Sequence, residues 1–570
     1  MTLTNRHTQF SLVVVAYGHG RLIRQLDAED AVYSRILRRR TYGDTKLDVL
    51  VYDTTLRDGA QAEGISFSLD DKLKIARRLD QLGMPYIEGG WPGSNPKDME
   101  FFHAVQEQTP NSRIAAFCST RRPGIMVRED SNVKAVLQAG VKTVTIVGKT
   151  WDFHVTRALE TSLAENLSMV RDTVSYFKGR GLEVMFDAEH FFDGFKHNRD
   201  YTLEVLQAAA AGGTDWIVLC DTNGGTMPWE IPDIIRTVSD EVAVPLGIHT
   251  HNDAGCAVSN ALIALNQGCR QVQGTINGYG ERCGNADLCA LIPNLELKMG
   301  RECLPPERLK HLTEVAHYVS EIANLPHYNN QPFVGSGAFA HKGGIHVSAL
   351  LKDTLTYEHI NPEKVGNHRR VLVSELSGLS NLLYKARELN LDVNSYDLQT
   401  RKVLKTIKEM EKQGLQFEGA DASLELFLRR AFGQYEDFFQ LKNLKVILEK
   451  NEGDEITAEA MVKVMVGDRT FHTAAEGDGP VNALDNSLRK ALAEVYPEIN
   501  EMHLADYKVR VLNGDAGTAA KVRVLIDSAD QSRQWSTVGV SENIIEASWQ
   551  AIVDSINYLL VQKQLQRDSD

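Results

Sequence analysis

The residues of this chain best suited to chemistry are His249-Thr250-His251. Successive side chains on a β-strand alternate, so residues two apart project to one side and both imidazoles face the same space. Two ring nitrogens and one carboxylate suit a divalent ion that polarises an oxygen of a bound molecule, with coordination positions left for water or substrate. Asp58, in Thr55-Leu56-Arg57-Asp58-Gly59, supplies such a carboxylate, and Arg57 places a permanent positive charge beside it. A lone His-x-His is commonly an ordinary strand feature. The elements that carry the pair therefore decide its meaning.

Those elements repeat. From Leu47 onward a short β-branched or apolar run, a polar or glycine-rich turn and an amphipathic helix recur at a regular spacing. The expected strands are 48–52, 86–88, 113–117, 143–147, 183–186, 216–219, 246–248 and 271–275. Helices fill the gaps, as at 70–82, where Leu73, Ala76, Leu79 and Leu82 fall at helical spacing. Eight such units across 47–304 predict an α/β fold, a (β/α)8 TIM barrel whose active site lies at the carboxyl ends of the strands. Arg57 and Asp58 then follow the first strand, Glu88 ends the second, and Glu189 follows the fifth. Asp221-Thr222-Asn223 follows the sixth, the histidine pair the seventh, and 278–285 the eighth. Barrel layers call for apolar side chains, so ionisable residues gathered at one rim from distant positions point to a site.

Segment 305–421 reads as a mainly helical linker, interrupted by Val334-Gly335-Ser336-Gly337 and by the histidine-containing run 341–346. Segment 422–570 reads as an α+β domain built from two β-β-α repeats, with loops 477–480 and 539–543 each preceding a helix. It contains no cysteine and no cluster of carboxylates with imidazoles, which favours binding or dimerisation over catalysis. Residues 1–46 read as an extension outside the core, with a short apolar stretch at 10–17 and the basic run Arg38-Arg39-Arg40.

Composition narrows the classes. The formal charge of −14 argues against a nucleic-acid partner or an anionic membrane surface, and no apolar run reaches the length of a membrane span. All seven cysteines fall between Cys118 and Cys303 without paired metal-binding spacing, which suits reduced thiols in the cytoplasm.

Three motifs carry a resemblance to a known family. They are Asp53-Thr54-Thr55-Leu56-Arg57-Asp58-Gly59-Ala60-Gln61, His249-Thr250-His251-Asn252-Asp253 and Gly278-Tyr279-Gly280-Glu281-Arg282-Cys283-Gly284-Asn285-Ala286. Together with 341–346 and the repeated terminal domain, they resemble the isopropylmalate and homocitrate synthase family of metal-dependent acyltransferases, which condense acetyl-CoA with a 2-keto acid. Within that family, 90–98, 116–122 and 148–155 look most like the branch that takes pyruvate and makes citramalate. Ala60 stands where the branch using a branched-chain keto acid usually carries an acidic residue, a departure that favours pyruvate.

The resemblance implies a metal held by Asp58, His249 and His251, with Asn285 as a further ligand. An oxygen-and-imidazole site admits Mg²⁺, Mn²⁺, Co²⁺ or Zn²⁺. Arg57 beside the first ligand can offset the alkoxide charge of carbon–carbon bond formation. Thr222 is placed to hydrogen-bond the substrate carboxylate. The acetyl methyl must lose a proton to a base near but not on the metal, and Glu189 and His346 are the two candidates. The resemblance further implies a homodimer and isoleucine as feedback effector of the terminal domain, as expected of an enzyme of isoleucine biosynthesis. The rivals are 2-isopropylmalate synthesis, a related carbon–carbon lyase, and a non-catalytic scaffold that senses a metabolite.

Overall fold

Eight parallel strands close on one another in sequence order, the last pairing with the first. They are β1 (Leu50–Asp53), β2 (Tyr86–Gly90), β3 (Arg113–Ser119), β4 (Thr143–Lys149), β5 (Glu183–Glu189), β6 (Trp216–Asp221), β7 (Leu246–Thr250) and β8 (Gln271–Gly274). The computed structural model describes residues 47–391, 393, 398–450, 456–512 and 514–569, so the extension 1–46 lies outside the described residues. Each expected barrel strand is present, and most run further at the carboxyl end than the apolar pattern indicated. There Lys149 pairs with Glu189 and Asp221 with Thr250 in the backbone ladder. Polar residues end the apolar pattern at the rim, but backbone pairing does not depend on side-chain polarity.

The first barrel helix shows why its neighbours form where they do. Ser68 accepts a hydrogen bond from the Asp71 N–H while the Asp71 carboxylate accepts from the Ser68 N–H, so the helix Leu69–Leu82 starts at a reciprocal cap. Gly83, at φ 89°, ends it in the left-handed conformation. Ile75, Ala76, Leu79 and Leu82 are buried in the core that surrounds the barrel.

The lumen is unusual. Gln273 of β8 donates to Asp187 of β5 at 3.0 Å, and Gln271 of β8 reaches Met185 of β5 at 3.3 Å. β5 and β8 are not neighbours in the sheet, so these bonds cross the barrel interior. Tyr52 of β1 likewise spans to Glu88 of β2 and Thr145 of β4, at 2.8 and 2.7 Å. Below lies an apolar floor that includes Leu50, Tyr86, Ala115, Met185 and Trp216. The expectation of purely apolar layers therefore fails at mid-barrel, where buried polar groups satisfy one another across the lumen.

After the barrel, helix Leu312–Ile322 returns to pack against Leu69–Leu82. The linker then forms a small parallel pair, β9 (Ala340–His341) with β10 (Arg370–Val371), and helices Gly344–Leu350, Leu379–Glu388 and Leu398–Lys412. A second core here contains Val373, Leu382, Ala386 and Ile407, completed by Leu424 and Leu428 of helix Asp421–Ala431.

The terminal domain differs from the expected β-β-α repeats. Each half has three antiparallel strands before its helix: β11 (Gln440–Lys450), β12 (Ile456–Val466) and β13 (Arg469–Gly477), then β14 (His503–Val511), β15 (Val522–Ala529) and β16 (Gln534–Ser541). The helices are Pro480–Leu492 and Ile544–Ser569, and the two halves share one core through Val462, Leu484, Leu488, Ile526 and Ile552. The outer strands β11 and β14 lack a fully buried face; β11 shows little regular alternation, whereas β14 alternates apolar and charged residues from Ala505 to Val511. Among the described residues, no helix is long and apolar enough to cross a membrane.

Candidate active site

The end of β7 and the turn after β1 converge as expected. Asp58, His249 and His251 present ligand atoms that all lie within 4.8 Å of one another, and all three residues are buried. His249 Nε2 stands 3.3 Å from Asp58 Oδ2 and 3.1 Å from His251 Nε2. Burial and the neighbouring His249 hold the His251 imidazole neutral, its pKa brought down to about 3. Burial works against a charge on His249 too, but the hydrogen bond and charge of Asp58 outweigh it and raise its pKa. Burial also opposes the Asp58 charge, yet Arg57 and His249 bring that carboxyl well below its usual range. One carboxylate oxygen facing two ring nitrogens, of which only one readily carries a proton, is a donor set that a divalent cation fits.

A relay fixes which nitrogen of His249 is free. His249 Nδ1 lies 2.8 Å from Gln273 Oε1, and the Gln273 amide nitrogen is committed to Asp187 Oδ1 at 3.0 Å. With the amide oxygen facing the ring, Nδ1 must carry the proton, and the neutral imidazole offers its Nε2 lone pair to the site. Asp187 sits 3% exposed; burial, then the nearby Glu88, push its carboxyl up to about 7.

Arg57 is locked from three sides. Its Nε donates to Glu88 Oε2 at 2.7 Å, an Nη lies 3.4 Å from Asp58 Oδ2, and its guanidinium lies over the Phe117 ring at 3.9 Å. Glu88 also accepts from the hydroxyls of Tyr52 and Thr54, at 2.8 and 2.5 Å. Arg57 therefore keeps its charge in a low-dielectric site and cannot swing away.

These groups open on a cavity of about 450 Å³ at the barrel rim. Its lining includes Arg57, Asp58, His249, His251, Glu189 and Thr222, together with Trp91, Phe117, Lys149, Asp187 and Cys220. Glu189 is ion-paired with Lys149. Thr222 Oγ1 accepts from the His190 N–H at 2.8 Å. The backbone brings Asn285 next to His251: Gly284 takes φ 84°, where an added Cβ would lie 2.0 Å from the Gly278 carbonyl, and the chain turns so that Asn285 forms a backbone bridge with His251. Its Nδ2 donates to the Tyr279 carbonyl at 3.1 Å and its buried Oδ1 has no hydrogen-bond partner among the described residues, but Asn285 lines a separate cavity with Asn277, Tyr279 and His327 and not the one on which Asp58, His249 and His251 open. His346 lies elsewhere. It is exposed on helix Gly344–Leu350, stacked on Tyr357 with ring centroids 4.2 Å apart, and lines no part of the cavity.

The chain matches a (R)-citramalate synthase of Geobacter sulfurreducens with 55% identity, over 90% of this chain and 97% of the relative. A second (R)-citramalate synthase, from Aquifex aeolicus, is 54% identical over 90% of this chain and 98% of the relative. The chain belongs to the citramalate synthase family. A 2-isopropylmalate synthase of Methanocaldococcus jannaschii stands further off, 31% identical over 90% of this chain and 95% of the relative. Residues 48–319 match the HMGL-like family, 333–415 the homocitrate synthase post-HMGL domain-like family, and 418–560 the LeuA allosteric (dimerisation) domain.

Sequence reasoning overlooked Gln273 and Asp187 as parts of this site. Their signal was a polar residue inside a barrel strand, in Gln271-Val272-Gln273 and Phe186-Asp187-Ala188. In the terminal domain a separate cavity of about 280 Å³ is lined by apolar Val481, Leu504, Ile526 and Ile552 and by the paired Asp485 and Arg489. Neither loop singled out in the sequence, 477–480 or 539–543, contributes a lining residue; the cavity begins at Val481 and Asn482, in the helix that follows the first loop.

Proposed function

We propose that this chain is a (R)-citramalate synthase, condensing acetyl-CoA with pyruvate and hydrolysing the thioester to give citramalate and CoA. The observation that carries the reading is 55% identity along 97% of a relative of that name, on a chain that assembles a carboxylate, two imidazoles and a fixed arginine at one barrel rim. A divalent ion bound by Asp58, His249 and His251, with Asn285 as a further ligand, supplies polarisation of the keto group; Mg²⁺, Mn²⁺, Co²⁺ and Zn²⁺ all suit these donors.

The chain's own residues account for the demands of the condensation. Arg57, immobilised by Glu88 and Phe117, stabilises the negative charge that grows on the keto oxygen; one such preorganised donor is commonly worth about 10²–10³ in rate. Thr222 donates to the pyruvate carboxylate. Glu189, on the cavity wall, takes the proton from the acetyl methyl, a role typically worth about 10²–10⁴. His346, exposed beside Tyr357 and outside the cavity lining, is the less favoured of the two candidate bases.

The match to a dimerisation domain supports a homodimer. The terminal cavity joins apolar walls to an acid–base pair, which suits the side chain and the two charges of an amino acid such as isoleucine. The enzyme then stands at the head of isoleucine biosynthesis in the cytoplasm, under feedback from its end product. The test is CoA release with a panel of 2-keto acids. Pyruvate should give the highest kcat/KM. A preference for 2-oxoisovalerate would make the chain a 2-isopropylmalate synthase, and no turnover with any acid would leave a metabolite-sensing scaffold.

A further inference from the structure

His190, immediately after Glu189, stands out because it adopts φ 56° and ψ 32°, a left-handed conformation that a residue with a Cβ takes only at a cost. It is 7% exposed, and its ring packs on His154 with centroids 4.0 Å apart. In this conformation two links join the end of β5 to the end of β6. The His190 N–H donates to Thr222 Oγ1 at 2.8 Å. The His190 ring nitrogen Nδ1 lies 3.3 Å from Asp193 Oδ2, and the same oxygen accepts from Asn223 Nδ2 at 2.9 Å. Asp193 therefore ties the corner after Glu189 to the residue that follows Thr222.

The consequence falls on the Thr222 hydroxyl. Its oxygen already accepts from a backbone N–H, and among the described residues its own proton has no protein acceptor. That proton is therefore directed at the cavity, which Thr222 lines together with Glu189. We propose that the His190–Asp193–Asn223 bridge is a positioning device that holds Thr222 as a hydrogen-bond donor to the carboxylate of the 2-keto acid. The bridge touches no reacting atom. It acts through Thr222, and this role rests on the keto-acid reading above.

The experiment is a double-mutant cycle in the full-length enzyme, read by 2-keto-acid affinity from calorimetry in the presence of Mg²⁺ and by KM for both substrates. Asp193→Ala should weaken pyruvate binding about tenfold, the scale of one hydrogen bond to a charged group, and leave the acetyl-CoA KM within about twofold. Thr222→Val should do the same, and the two together should be no worse than Thr222→Val alone, because coupled positions are non-additive. Asp193→Asn, which keeps an acceptor for His190 and Asn223, should restore most of the affinity. Asn223→Ala makes the same test by cutting the other half of the bridge if Asp193→Ala does not fold. Unchanged pyruvate affinity in both bridge variants, losses that multiply with Thr222→Val, or an equal rise in both KM values would overturn the positioning role. A parent enzyme that prefers another 2-keto acid changes the substrate reading alone, and the cycle is then read with that acid. A parent that binds no 2-keto acid overturns both readings.

Discussion

Replacing Gln273 by Leu removes the side chain that connects His249 to Asp187. The His249 Nδ1–H is left without an acceptor in a residue 5% exposed, and an unmet buried donor costs about 1–3 kcal/mol. That cost falls on the metal-free and the metal-bound forms alike, so it appears chiefly as lost stability. Metal affinity suffers separately, because the ring is free to rotate and to place its proton on Nε2. Loss of such a supporting hydrogen bond typically weakens metal binding 10–100-fold, about 1.4–2.8 kcal/mol. Gln273→Glu makes the instructive contrast. It keeps an oxygen for Nδ1–H but cannot donate to Asp187, so ion affinity should stay within a few-fold of the parent while stability falls at high pH, where two carboxylates face each other. The assay is calorimetric titration of chelator-stripped protein with Mn²⁺, together with thermal melts. A folded Gln273→Leu protein that binds Mn²⁺ within twofold of the parent would refute the relay.

Asp58→Ala and the double change His249→Ala/His251→Ala should each abolish condensation while the far-ultraviolet circular dichroism stays that of the parent, because the apolar shell around the barrel does not include these side chains; full activity with parental metal content would remove them from the reaction. Asp187→Asn tests the buried carboxyl in metal-free protein. Its folded pKa is raised to about 7, so Asp187 stabilises the fold below its unfolded value and loses that contribution as pH rises towards 7. The variant should therefore melt above the parent at pH 8 and lose that advantage towards pH 4, and an advantage independent of pH would contradict the assignment. Val481→Trp, which fills the terminal cavity, should weaken isoleucine inhibition about tenfold or more, within the usual range of coupling between sites. A parent enzyme indifferent to isoleucine, leucine and valine would leave that domain with dimerisation alone. Truncation at residue 422 is the poorer test, since Leu424 and Leu428 complete the core of the preceding helices.

What could be read from the sequence was whatever depends on local periodicity. Strand alternation puts His249 and His251 on one side, and the recurrence of βα units sends Asp58, Glu189, Thr222 and the histidines to one rim before any coordinate is known. Ser68 and Asp71 start a helix by a rule that spans only a few residues. What lay beyond the sequence depends on closure of the barrel. Gln273 meets Asp187 only because β8 returns to pair with β1 and sets β5 across the lumen. The outer strand β11 escaped notice because it has no fully buried face and its apolar residues, Leu441, Leu444 and Val446 to Leu448, alternate only irregularly. His346 shows the converse: its motif marks it as chemically capable, but its distance from the cavity is set by how the linker packs. Local pattern determines which way a side chain points within its own element, and only the packing of distant elements determines what it meets there.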